Sequence, residues 1–314
     1  MKLGILMDPL HQVKAYKDST VAMIESAISM DWSCAFFTPQ DLYCSEGIPY
    51  AKVSGIRIRD RNAEDWVEVT PLGEHPLSAF DIILMRKDPP FDMEYIYATY
   101  ALELAAKSGV LVANKPQSLR DANEKFFTLN FPQCTPTTLV SRDIGRLRSF
   151  WETHQDVIFK PLDGMGGSSV FRVDKKGRNL SVILETLTHN ERTTIMAQQY
   201  IPDISTTGDK RIFLINGEPV PQALARIPME NELRGNLAAG GMGKVVSITE
   251  RDRWICQEIA PTLKDKGLYF VGIDVIGQFL TEINVTCPTC IREITQETGL
   301  DIAGDYLRYL AMQL

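Results

Sequence analysis

Three oxygen-bearing residues near the C-terminus are spaced for joint chemistry: Asp274, Glu282 and Asn284, within YFVGIDVIGQFLTEINVT from Tyr269 to Thr286. Strand alternation sets Ile273 and Val275 on one face and Asp274 on the other; in the return strand Ile283 and Val285 oppose Glu282 and Asn284. A three-residue turn over Gly277 to Phe279 would place Asp274 directly across from Glu282, with Asn284 next on the same face. A two-residue turn would break that alignment. Two carboxylates and an amide oxygen on one sheet face suit a hard cation such as Mg²⁺, usually shared with substrate phosphates. The solvent-facing side of an ordinary hairpin would read the same way.

A second chemical signal is VIFKPLDGMGGSSVFRV, Val157 to Val173. Lys160 precedes Gly164, Gly166 and Gly167, whereas a P-loop carries its lysine after the last glycine. The dinucleotide fingerprint fails as well, because Ser169 stands where its third glycine would be and SSVFRV continues as a strand where that fold starts a helix. The pattern is strand, glycine loop, strand. A lysine just before such a loop can reach phosphate oxygens while loop amides donate to the same oxygens. Lys125, early in a helix predicted over ANEKFFTLN, is a second candidate, although either lysine alone also fits a solvated surface position. Arg211, Arg226, Arg234 and Arg292 add guanidinium forks suited to a polyanionic ligand set, with scattered surface arginines as the alternative.

The elements that must position these groups change in texture along the chain. KLGILMD reads as a buried strand, Asp18 to Met30 as a helix, CAFFT as a strand, and Phe80 to Asp92 as a strand ending at a Pro-Pro turn. MEYIYATYALELAAKSG is a helix closed by Gly109, and VLVANKP the next strand. Alternating strand and helix predicts a parallel α/β layer. Behind residue 122 hairpin signals take over, including Asn216-Gly217 between apolar runs. Pro228 to Val246, rich in glycine, is expected to be the mobile loop. The expected division is 1–122, an α/β domain on the substrate side; 123–200, a central lobe with the glycine flap; and 201–314, a C-terminal lobe with the metal site and mobile loop.

The chain has 314 residues, 44% of them hydrophobic, enough for two or three domains with sizeable cores. Lys and Arg total 33 against 40 Asp and Glu, a net charge of −7, so no global field favours nucleic acid or an anionic membrane. Six cysteines are too few for a disulfide framework. Asp8 and Pro9 interrupt the opening apolar stretch, which is therefore not read as a secretory leader. The expectation is a soluble cytoplasmic protein. Cys287 and Cys290 form a C-x-x-C without further zinc ligands at suitable spacing; a redox pair would need a strand-to-helix context. His11, His75, His154 and His189 show no triad or metal spacing.

MRKDPPFDMEYIYATY, NKPQSLRDANEKFFT, KPLDGMGGSSVFRV, GDKRIF, RGNLAAGG and TEINVTCPTCIREI together, in this order along nearly the whole chain, resemble the bacterial glutathione synthetase family of ATP-grasp ligases. The resemblance is weakest from Cys44 to Leu77. It implies an N-terminal parallel α/β (pre-ATP-grasp) domain followed by a two-lobed α+β ATP-grasp domain with antiparallel sheets. The implied activity joins γ-glutamylcysteine to glycine through an acyl phosphate, with ATP as co-substrate and Mg²⁺, or Mn²⁺, as cofactor. ATP would be held by Lys125, Lys160, Gly164, Gly166, Gly167, Ser168, the hinge residues Gln198, Gln199, Tyr200 and Ile201, and Arg211. The implied metal ligands are Asp274, Glu282 and Asn284. Arg211, Arg226 and Arg234 would act on the reacting phosphoryl group, and Arg86, Arg226, Arg234, Asn236, Asn284 and Arg292 would bind the peptide substrate. A homotetramer, with no nucleic-acid or membrane partner, is also implied. Two departures stand out: Cys287 where the family pattern suggests serine or another small polar residue, and Met242 where it suggests a basic one. Another carboxylate-amine ligase of the same fold, or an ATP-binding module without turnover, is the competing reading.

Overall fold

The computed structural model describes residues 1–229, 235, 237 and 240–314. Three sheets organise them. The first has seven strands, and its parallel part runs Ser33–Phe37, Lys2–Met7, Ile82–Arg86, Leu111–Ala113. Lys2–Met7 is buried at every position after its first residue, as a strand covered on both faces must be. The helices Ser19–Ser29 and Met93–Lys107 start where aspartates terminate them: Asp18 accepts from Val21 N at 2.9 Å and Asp92 from Tyr95 N at 2.9 Å.

The parallel N-terminal layer expected from the sequence is present, and further strands extend it. Leu42–Ser45, Ile48–Ile58 and Val67–Pro76 join the same sheet as antiparallel strands. They fall where the family resemblance is weakest. Antiparallel neighbours need only tight turns, so no helix separates them, and the strand-helix alternation that signals a parallel layer is missing from that stretch.

The second sheet is wholly antiparallel, in the order Phe171–Val173, Val157–Pro161, Ile195–Gln199, Thr138–Ser141. Val157, Phe159, Ile195 and Ala197 face a core closed by Leu147, Leu180 and Leu184 from two helices. Alternation therefore turns Ile158 and Lys160 to the opposite side, with Gln198 across from Ile158.

The third sheet runs Met242–Ser247, Gln222–Ile227, Asp209–Ile215, Phe270–Ile276, Phe279–Asn284, with the short strand Glu218–Pro219 folded back on Asp209–Ile215 at Asn216-Gly217. One hydrophobic cluster joins this sheet to the first, bringing Leu102, Val112 and Phe127 together with Ile212, Ile273 and Ile283. The central sheet keeps a cluster of its own. The loop expected over Pro228 to Val246 is shorter than that range. From Met242 onward the chain is a strand, because Val245 and Val246 pair with Leu224 and Ala223. Glu230 to Arg234, Asn236, Ala238 and Ala239 lie outside the described residues.

Candidate active site

The third sheet builds most of the site on one face by register alone. Asp209 pairs with Arg226, Arg211 with Asp274, and Asp274 with Glu282, so five side chains from four adjacent strands converge. The hairpin expectation fails in one respect and succeeds in its result. Its turn is the two-residue Gly277-Gln278, with Ile276 facing Phe279, which by itself would misalign the carboxylates. A bulge at Thr281 inserts the missing residue and restores Asp274 opposite Glu282. Thr281 Oγ1 donates to Asp274 O at 3.1 Å, tying the bulge in place.

Charge is closely compensated here. Arg211 grips Asp274 with Nε at 2.6 Å from Oδ1 and Nη2 at 3.1 Å from Oδ2, and Arg226 Nη2 reaches the same Oδ2 at 2.9 Å. Although burial opposes ionisation, the two guanidiniums hold the Asp274 carboxyl well below the usual carboxylate range. Gly272 permits the Arg211 contact: a Cβ there would stand 2.9 Å from Arg211 Cδ and 2.8 Å from Pro288 Cβ. Arg226 Nη2 also holds Asp209 Oδ2 at 2.5 Å. Burial outweighs Arg226 at Asp209 and pushes its carboxyl up to about 7.

The facing cations come from the second sheet, which carries Lys160, and from the 3₁₀ turn before it, which Lys125 opens. Lys160 Nζ lies 3.8 Å and Lys125 Nζ 3.7 Å from Glu282 Oε1. Lys160 also donates to Thr281 O at 3.5 Å and Lys125 to Gly164 O. Desolvation lowers the Lys160 pKa below the ordinary lysine value, with Glu282 acting against that shift. Lys125 caps a short 3₁₀ turn, Phe126–Asn130, where an α-helix was expected. In the glycine loop Gly166 and Gly167 take φ of 62° and 76°, conformations that a side chain would strain.

Between the sheets is a solvent-open cleft of about 840 Å³, lined by Lys125, Lys160, Gly164, Gly166, Gly167, Gln198, Gln199, Tyr200 and Ile201, together with Asp209, Asp274 and Glu282. Ile158, Ile204 and Ile276 add apolar walls, the mixture of apolar surface and a few convergent polar groups that a planar heterocycle with a charged tail requires. Gly164, Gly166 and Glu282 also line a second cavity of about 1750 Å³. Arg86, Arg211, Arg226, Asn284 and Cys287 border that cavity.

Comparison with known proteins fits this architecture. The model of the prokaryotic glutathione synthetase N-terminal domain matches residues 1–120, and that of the prokaryotic glutathione synthetase ATP-grasp domain matches residues 124–307. The chain belongs to the prokaryotic glutathione synthetase family. Curated glutathione synthetases from Pseudomonas aeruginosa and Pseudomonas putida are 52% and 55% identical to it, covering 100% and 97% of this chain and 98% and 95% of theirs. That from Escherichia coli is 52% identical over 97% of this chain and 96% of its own. Among solved structures, D-cycloserine synthetase DcsG superposes with a TM-score of 0.71 at 13% identity, covering 100% of this chain and 99% of that one. The ATP-grasp ligase PsnB, solved with minimal precursor, Mg and ADP, gives 0.62 at 16% over 99% and 97%. These two likenesses concern the fold.

Against the glutathione synthetase pattern the remaining candidate residues fall as follows. Arg86 is buried in the wall of the second cavity, donating from Nε to Thr20 Oγ1 at 3.1 Å and from Nη2 to Pro288 O at 3.1 Å. Ser168 is exposed in the flap and lines neither cavity. Arg292 is not brought to either. Its Nη1 pairs with Glu25 at 3.0 Å and its Nε donates to Asp18 O, facing a separate pocket between helices Ser19–Ser29 and Ile291–Thr298. Arg234 and Asn236 lie outside the described residues. Cys287 and Cys290 are free thiols, and burial pushes both pKa values up, which disfavours the thiolate that redox exchange requires. Met242, the other departure, pairs with Ile227 in a strand.

Sequence reasoning missed Asp209 and Glu124. Period-two spacing from Arg211 was the available signal for Asp209. Glu124 Oε1 accepts from Val285 N, Thr286 N and Thr286 Oγ1, at 3.2, 3.3 and 2.7 Å, and no local pattern announces that anchor.

Proposed function

We propose that this protein joins γ-glutamylcysteine to glycine, forming glutathione with conversion of ATP to ADP and phosphate. The observation that carries the reading is that the two cavities share Gly164, Gly166 and Glu282 in their walls, which would set a nucleotide's phosphates beside a separate substrate chamber. ATP would phosphorylate the cysteinyl carboxylate, and the glycine amine would displace phosphate from the acyl phosphate. Lys125 and Lys160 would neutralise the phosphates under the glycine flap, and Arg211 and Arg226 would meet charge developing on the transferred group. Closing the flap excludes water, which would otherwise hydrolyse the acyl phosphate.

Asp274, Glu282 and Asn284 are the proposed holders of Mg²⁺, or Mn²⁺. Among the described residues no group of three or more His, Cys, Asp or Glu side chains could hold a metal. Two carboxylates and an amide are nevertheless what a magnesium ion shared with phosphates uses. The residues fit. Asn284 Nδ2 is buried without a hydrogen-bond partner, and Glu282 Oε1 lies 3.7 Å and 3.8 Å from the two lysines, beyond hydrogen-bond distance of both. When bound, the metal would bridge phosphate oxygens and offset their charge.

The same reading carries a cytoplasmic location and a homotetramer; among the described residues no helix is long and apolar enough to cross a membrane. Purified protein with ATP, Mg²⁺, γ-glutamylcysteine and glycine should release ADP and phosphate and form glutathione, with omission of any one stopping the reaction. Glu282→Ala should abolish turnover in the folded protein. If glutathione fails to appear while another amine supports ADP release, the acceptor assignment is wrong.

A further inference from the structure

Phosphoryl transfer to a peptide carboxylate fixes where the rest of that residue must lie. The carboxylate has to stand within reach of the nucleotide's terminal phosphate, so it belongs at the part of the substrate chamber whose wall is shared with the nucleotide cleft, at Gly164, Gly166 and Glu282. A cysteinyl thiol is separated from its own carboxyl carbon by Cα and Cβ alone, and it therefore lies against the same part of the wall. On the sheet side that wall is charged or polar: Arg211 and Glu282 pair on either side of Asp274, and Asn284 follows on the same face. A weakly polar CH₂–SH group gains little among such groups. Its contact has to come from the flap.

Between Gly164 and Ser169 the only non-glycine residue in either wall is Met165, which lines the substrate chamber and not the nucleotide cleft, while the glycines on both sides of it line both. Its backbone is anchored from two directions. Ser168 N donates to Met165 O at 3.1 Å across Gly166 and Gly167, whose positive φ values at both central positions are the mark of a type I′ turn. Lys125 Nζ donates to Gly164 O and lies 3.7 Å from Glu282 Oε1, so the residue before Met165 is tied to the carboxylate-bearing sheet face. Met165 is nevertheless 51% exposed, a large apolar side chain left uncovered at the chamber wall. An unbranched, polarizable thioether adapts its shape to whatever packs on it.

We propose that Met165 is a specificity-determining residue, its thioether packing against the thiol-bearing side chain of the peptide residue whose carboxylate is activated. The inference rests on the ligase reading above and adds to it the group that reads the cysteinyl side chain. The flap glycines serve the nucleotide, because backbone without side chains can approach phosphates closely. Met165 between them serves the peptide, so one segment meets both reactants. Recognition is by shape and apolar contact, with no bond to sulfur. A donor of similar size without sulfur, such as γ-glutamyl-2-aminobutyrate, is accepted by the same contact, whereas γ-glutamylglycine has no side chain at that residue to offer Met165.

Met165→Ala removes the contact. Preference is read from ADP release at saturating ATP, Mg²⁺ and glycine, as kcat/KM for γ-glutamylcysteine divided by kcat/KM for γ-glutamylglycine, so that any loss of flap closure common to both donors cancels. The ratio should fall by about tenfold or more, the worth of one methylene-sized group in an apolar pocket. γ-Glutamyl-2-aminobutyrate should lose as much as γ-glutamylcysteine. Met165→Leu should restore most of the preference, with thermal melting to establish that both variants are folded. Calorimetric affinities of the peptides in the presence of a non-hydrolysable ATP analogue should move in parallel. A folded Met165→Ala enzyme that keeps the wild-type ratio, or a wild-type enzyme with no preference between the two donors, would overturn the role of Met165 and leave the ligase reading standing. If the wild-type protein forms no glutathione from γ-glutamylcysteine, the ligase reading itself fails, and the role of Met165 with it.

Discussion

Gly272→Ala tests whether backbone spacing sets the chemistry of Asp274. The added methyl would stand 2.9 Å from Arg211 Cδ and 2.8 Å from Pro288 Cβ, whereas carbon atoms normally approach to about 3.5–4.0 Å. One neighbour must give by nearly an ångström. Arg211 is fastened at three points, to both oxygens of Asp274 and, at 3.2 Å, to Thr289 O. Overpacking of this kind costs about 1–3 kcal/mol, and losing a charge-assisted hydrogen bond adds about 1.5–3 kcal/mol. The expected total of about 3–5 kcal/mol should lower Tm by on the order of 10 °C. An ångström of displacement at an aligned group can cost about 10²-fold in rate, so glycine-dependent ADP release should fall by about that factor below the melting range. Gly55→Ala is the control, because its Cβ would meet nothing closer than 3.6 Å and should change stability by no more than about 0.5 kcal/mol. Scanning calorimetry and coupled ADP assays read both quantities. Wild-type Tm and activity in Gly272→Ala would refute the claim that the missing Cβ holds Arg211 against Asp274.

Other perturbations separate stability from chemistry. Lys210, on the opposite face of its strand from Arg211, binds fully buried Asp252 at 2.6 Å through both oxygens, so Lys210→Met should cost about 3–5 kcal/mol. Lys210→Met/Asp252→Asn should recover much of that in thermal melts, with turnover near wild type below Tm. Burial pushes the Cys256 thiol up to about 12, above its unfolded value near 8.5, so the stabilisation it gives is complete below that value and is lost as pH rises toward 12. Denaturant titrations should show a loss of about 1 kcal/mol per pH unit in that window, and Cys256→Ala should flatten the slope. Calorimetric ATP binding should tighten by at least about tenfold with Mg²⁺, and Glu282→Gln should remove most of that gain.

What the sequence made legible followed from period and punctuation. Alternation across Tyr269 to Thr286 assigned Ile273, Val275, Ile283 and Val285 to the core, and all four are fully buried. The strand, glycine loop, strand pattern around Gly164 separated this nucleotide cleft from a P-loop. Other features depended on partners distant in the chain. A bulge has no compositional mark, so Thr281 could not be distinguished from a regular strand residue until its pairing with Asp274 was known. Arg292 shares with Arg211 and Arg226 a residue type that binds anions, but its fate was decided by Glu25, 267 positions away. Asp209 carried its own signal, the alternation with Arg211, yet its free oxygen emerges only when Arg226 takes the other one.

The charge arrangement bears directly on why a metal should accompany the nucleotide. Lys125 and Lys160 face Glu282, and Arg211 and Arg226 are spent on Asp274 and Asp209, so the cations of the cleft are already matched against carboxylates. A triphosphate entering alone would have to draw those cations away and leave the buried Asp274 and the partly exposed Glu282 uncompensated, a costly outcome for Asp274 above all. A divalent cation held at the carboxylates would remove the conflict, because it would offset their charge in place of the arginines and lysines and leave those side chains to meet phosphate oxygens. Metal and nucleotide affinity must then be reciprocally coupled. The arginine clamp on Asp274 is on this argument the ligand-free arrangement of the same groups that would hold the transferred phosphoryl, and its exchange for metal is what would prepare the cleft for transfer.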